Sequence, residues 1–68
     1  MYTIEFVLKE VRIKHGLTQK QLSKLSHLSQ TYISLLENKI KIPDLNAIAK
    51  ISNGLNIHPM ELLKVKKI

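Results

Sequence analysis

Gln30, Thr31, Ser34 and Leu35 belong to the segment QTYISLLEN, spaced so that a helix would carry all four on one side. Ile33 and Leu36 would then face the opposite way, into a core. The four-residue face is uncharged, with no acid before Glu37, whereas a solvated helix face more often carries Glu–Lys pairs. Amide, hydroxyl and methyl groups of this kind suit the edges of nucleobases. A glutamine can pair with N6 and N7 of adenine, and a Thr31 methyl or Leu35 side chain can meet a thymine methyl. The plainer reading is one face of a structural helical bundle.

Catalytic chemistry finds little support. His15, His27 and His58 are far apart, and the five acids occupy five separate positions. The chain has no cysteine, which excludes disulfides, thiolate metal sites and thiol catalysis. It also lacks a glycine-rich phosphate loop. No enzyme activity, metal or cofactor is expected.

Composition narrows the class further. Leu, Ile, Val and Phe make up 24 of the 68 residues, enough to fold but only as one domain spanning 1–68. Eleven Lys and Arg against five Asp and Glu leave a net charge of +6, which favours an anionic partner such as nucleic acid or a membrane surface. No apolar run approaches the roughly 18 residues a membrane span needs. Glu5 interrupts the stretch where a secretory signal would be apolar. A soluble, cytoplasmic protein is the expectation, and with an aromatic content of 4% membrane attachment is the weakest option.

The elements that would position the uncharged face read as five helices and no firm strand, an all-α fold. The first is expected from Thr3, as cap, to His15, stopped by Gly16. A strand competes over TIEFVL, where β-branched and aromatic residues gather, but the continuation KEVRIK favours helix. Thr18 and Gln21 form a capping box for a helix to about Leu25, with Leu22 and Leu25 pointing one way. Ser29 caps the next, which runs to Glu37. Asp44 caps a fourth along Leu45, Ile48, Ile51 and Leu55, and Asn56 suits the left-handed turn that ends it. Pro59 opens a fifth with Met60, Leu62 and Leu63 as anchors, and the basic tail 64–68 is expected to fray. Two short helices within 18–37, joined by about three residues, suit a helix-turn-helix whose second helix enters the major groove.

From Val11 to Leu63 the chain resembles the phage repressor and Cro type of helix-turn-helix domain, the XRE-like family. The matching runs are RIKHGLTQKQLSKL, LSQTYISLLEN and IPDLNAIAKISNGLNIHPMELL, in the family's order and spacing. The resemblance implies five helices with the middle pair on DNA. It places Gln30, Thr31 and Leu35 at base edges, and Gln19, Lys20, Ser29, Tyr32, Asn38, Lys39 and Lys41 at phosphates. Gln19 would also brace the recognition helix, and Ser34 would pack against the first motif helix. Arg12, the only arginine, matches a position that pairs with Glu37, a role for a planar guanidinium that lysine cannot fill.

Ile57, Met60, Leu63 and Val65 are the dimer-interface candidates. The implied function is sequence-specific regulation of transcription, expected as repression by a homodimer on a palindromic operator. Its recognition helices would then sit about 34 Å apart. An antitoxin or other protein-binding module on the same fold is the alternative. The sequence departs from the family pattern at Ser23 (usually Ala), at His27 and Lys39 (usually Gly), and at Gly54 (usually Ala). A glycine inside the fourth helix is expected to cost roughly 0.5–1 kcal/mol.

Overall fold

A computed structural model describes residues 1–68. Its elements in order are β1 (Tyr2–Phe6), α1 (Leu8–Lys14), α2 (Gln19–Ser26), α3 (Gln30–Glu37), α4 (Leu45–Leu55), a single 3-10 turn (Pro59–Leu62) and β2 (Leu63–Lys67). Four α-helices and a two-stranded antiparallel sheet replace the expected five-helix, all-α arrangement.

The correction lies at the two ends of the chain. Thr3 is inside β1 rather than capping a helix, and the basic tail forms β2 instead of fraying. β1 pairs with β2 from Tyr2 opposite Lys67 to Phe6 opposite Leu63. Backbone bonds close the ladder beyond both ends, Val7 N–H to the Leu62 carbonyl at 2.8 Å and Ile68 N–H to that of Met1 at 2.7 Å. Each strand is mostly exposed but supplies main-chain partners to the other. Helix α1 begins only after Val7, with no side-chain cap. The expected fifth helix shrinks to one 3-10 turn. There His58, ahead of Pro59, accepts the Met60 N–H at Nδ1 while its own N–H donates to Glu61.

The three central helices start on local caps. Thr18 Oγ1 accepts the Gln21 N–H at 3.1 Å while the Gln21 side chain accepts the Thr18 N–H at 2.8 Å. Ser29 accepts the Tyr32 N–H, and Asp44 accepts the Ala47 N–H. Each satisfies an amide that a helix start leaves unpaired. Asn56 takes the left-handed conformation after α4, with φ of 55°.

Leu8, Leu22, Ile33, Leu36, Ile51, Leu55 and Leu62 form one buried cluster, bordered by Phe6, Val11, Leu17, Leu28, Ile48 and Ile57. Every helix contributes to it. The buried stripe of α4 is Ala47, Ile51 and Leu55, whereas Leu45, expected in that stripe, is 84% exposed. On α2, Leu22 and Ser26 are buried while Leu25 is largely exposed. Instead, the backbone at Leu25 carries α4. A Cβ added at Gly54 would stand 2.5 Å from the Leu25 carbonyl oxygen and 2.8 Å from its carbon.

Candidate nucleic-acid interface

The turn between α2 and α3 is held from both sides. His27 ends α2 with φ of 58°, a left-handed conformation uncommon for residues other than glycine. The Ser23 hydroxyl donates to the Leu28 carbonyl across this turn, a bond that alanine could not make. Ser29 then opens α3 with its hydroxyl turned onto that helix's own backbone.

With the turn fixed, Gln30 and Thr31 project from the first turn of α3 and are exposed, while Ser34 and Leu35 are half-buried one turn on. These four side chains and Gln19 line one shallow concavity. Ser34, which the helical period set on this face and the resemblance set against α2, is part of this lining and accepts a 3.3 Å bond from the Asn38 side chain. The signal for it was present in the sequence, because Ser34 stands one helical turn from Gln30.

Beneath the concavity a polar cluster ties three helices together. Arg12 Nε donates to Glu37 Oε2 at 2.6 Å and Nη2 to Oε1 at 3.0 Å, the two-pronged geometry of a guanidinium on a carboxylate. Arg12 Nη1 also donates to the Leu17 carbonyl at 2.8 Å. Gln19 Nε2 adds a 3.1 Å bond to Glu37 Oε1, coupling the start of α2 to the end of α3. The side chains of Arg12 and Glu37 are 13% and 2% exposed.

Burial works against the Glu37 charge. Hydrogen bonds from Arg12 and Gln19, with the charges of Arg12 and Lys9, outweigh it and hold the carboxyl below its usual range. The Arg12 guanidinium is raised, chiefly by its bond to Glu37.

This shift sets a pH dependence. With its folded-state value depressed, Glu37 stabilises the domain fully above its unfolded value of about 4.3. That contribution is lost as pH falls through the folded value, because the unfolded chain binds more protons. Thermal melts taken from neutral pH down through the acid range should show the transition falling. In Glu37→Gln that acid-dependent drop should be smaller. Parallel curves for the two proteins would remove Glu37 from the linkage.

Asn38 caps α3 and is exposed. Lys39 takes φ of 61°, and its ammonium turns to the Phe6 carbonyl and lies 3.7 Å from Glu5, with its side chain exposed. Lys41 stands 5.5 Å from the centre of the Tyr32 ring, within cation–π range. Those two residues, with Asn46, Lys50 and the α4 cap Asp44, border a second concavity beside α3. Asn46 and Lys50 were not among the sequence candidates, although their four-residue separation puts them on one side of α4. Lys20 and Ser29 are exposed near the helix starts.

A family model described as helix-turn-helix matches residues 8–62, spanning α1 to the end of the 3-10 turn. The chain belongs to the XRE-type helix-turn-helix family. No curated protein and no solved structure matches it. The family is one of DNA-binding regulators of transcription. In this helix-turn-helix domain α2 and α3 form the motif, and the strands fall outside the matched segment. Ile57 packs against the core and Leu63 is half-buried, whereas Met60 and Val65 are about half exposed. No helix is long and apolar enough to cross a membrane.

Proposed function

We propose that this domain is a sequence-specific regulator, a repressor that binds a palindromic operator as a dimer, with α3 as its recognition helix. The observation that carries this reading is the uncharged concavity of Gln30, Thr31, Ser34 and Leu35 at the exposed start of α3. Gln30, Thr31 and Leu35 read base edges, with Ser34 beside them. Phosphates are met by Gln19, Lys20, Ser29, Tyr32, Asn38, Lys39 and Lys41, joined by Asn46 and Lys50. The net charge of +6 supplies affinity without preference for sequence.

Selection of bound duplexes from a random pool, followed by salt titration on the consensus, tests the proposal. A palindromic consensus with a steep salt dependence is expected. Gln30→Ala should change the preferred sequence, losing about 1–3 kcal/mol of discrimination at one base pair. Lys41→Ala should weaken all duplexes alike and lower the salt slope by about 1. Equal losses on every sequence for Gln30→Ala would sink its base-reading role.

A further inference from the structure

The two strands present outer edges of different character. Bonded and non-bonded pairs alternate along an antiparallel ladder. The backbone bonds at Val7–Leu62 and Met1–Ile68 therefore set Thr3 and Glu5 toward β2. Tyr2, Ile4 and Phe6 turn their amide and carbonyl groups outward. The outward carbonyl of Phe6 is occupied by Lys39. Those of Tyr2 and Ile4 are not.

Charge distinguishes the edges further. β2 carries Lys64, Lys66 and Lys67, and lysines are a common guard against edge-to-edge pairing. Two β2 strands paired about Val65 would set Lys64 against Lys66 of the other copy, like charges face to face. The only charge on β1 is Glu5, already beside Lys39. Tyr2, Ile4 and Phe6 share a sheet face with Leu63 and Val65, with Lys67 at its end opposite Tyr2, and Ile4 is 68% and Val65 50% exposed. Beside this face a groove runs between β1 and the loop before α4, floored by Ile4, Phe6, Leu36, Ile42 and Ile48 and rimmed by Glu5, Lys39, Lys41 and Pro43.

We infer that β1 is the edge at which a second copy of this chain adds, antiparallel, making a four-stranded sheet in the order β2-β1-β1-β2. The two-fold axis passes at Thr3. Tyr2 of each copy exchanges both backbone bonds with Ile4 of the other, giving four new bonds and leaving the Phe6 carbonyl to Lys39. A register centred on Ile4 would instead require that carbonyl and break its bond to Lys39. In the chosen register Thr3 faces Thr3 in a closely spaced, non-bonded pair, a favourable match. The apolar faces of both copies join, and Tyr2 of one lies beside Ile4 and the groove of the other. This surface gives a location to the dimer of the proposed function. It is tested without DNA, so its failure leaves the base-reading role of α3 standing.

The absence of cysteine makes a single introduced thiol unambiguous. Across a non-bonded pair the Cβ atoms lie about 4.5–5.5 Å apart, close to disulfide geometry. Under mild oxidation Thr3→Cys should become a covalent dimer. Lys66→Cys, opposite Thr3 on β2, and Met60→Cys on the 3-10 turn should cross-link far more slowly. In sedimentation the unmodified chain should dimerise in the micromolar range, and Ile4→Lys should be monomeric, with a thermal melt that matches the parent's once both are diluted below the dimer range. A monomeric parent chain overturns the inference, including one that pairs only with another protein's strand. So does Thr3→Cys cross-linking no faster than Lys66→Cys, or Ile4→Lys associating like its parent.

Discussion

Arg12→Ala is expected to lower the melting temperature by about 12–24 °C, or to leave the domain largely unfolded at room temperature. The side chain holds both carboxylate oxygens of Glu37 and the carbonyl of Leu17, and the Glu37 side chain is almost fully buried. Removing the guanidinium leaves that charge with the single neutral bond from Gln19. Stranding a buried charge costs about 3–5 kcal/mol. The lower figure is appropriate because Arg12 itself is partly exposed. For a domain of this size each kcal/mol moves the transition by about 4–8 °C. A core this small supplies only about 3–5 kcal/mol in total, so the loss consumes most of the stability. Arg12→Lys should recover little, since an ammonium cannot form the paired bonds. Arg12→Met combined with Glu37→Leu should recover much of it, because no charge is then left buried. Circular dichroism melts of the four proteins decide the matter, and an unchanged melt for Arg12→Ala would refute the account.

Gly54→Ala is expected to destabilise the domain by about 2 kcal/mol, although helix propensity alone favours alanine by about 1 kcal/mol. The added Cβ would meet the Leu25 carbonyl oxygen at 2.5 Å, and the obstacle is backbone. Relief requires α2 and α4 to separate, loosening Leu22 and Ile51 in the buried cluster. Overpacking of a close contact costs about 1–3 kcal/mol, more where backbone must shift. The clash therefore outweighs the propensity gain. The expectation of a penalty for glycine at this position is thereby reversed. Chemical denaturation of the two proteins gives the sign directly, and a higher midpoint for Gly54→Ala would mean that the helices part at no cost.

The legible and illegible parts of this fold differ in how far their signals reach. Thr18 with Gln21, Ser29, Asp44 and Asn56 act within one or two helical turns, so the bounds of α2, α3 and α4 could be read from adjacent residues. The strands are marked less decisively. Tyr2–Phe6 alternates apolar and polar residues and makes strand the competing reading, but the continuation KEVRIK favours helix. LKVKK looks like a solvated tail until it is set against β1, some sixty positions away. The same omission explains Lys39. Its ammonium turns to Phe6 and Glu5 because β1 places a carbonyl and a carboxylate within reach, a position that neighbouring sequence does not disclose. The Arg12–Glu37 pair came from family resemblance supported by the choice of arginine, and the same resemblance had Gln19 bracing α3, whereas the partner of that brace, Glu37, needed coordinates. Periodicity alone set Ser34 on the outward face beside Gln30.

Because Ile68 donates to the carbonyl of Met1, the span from first residue to last reports directly on whether the molecule is folded. An unfolded chain of this length has a radius of gyration of about 25 Å, against 11.5 Å here. A dye and a quencher attached at the two extremities would therefore pass from near contact to wide separation in one step. Such a pair would follow the collapse of the domain without disturbing α3.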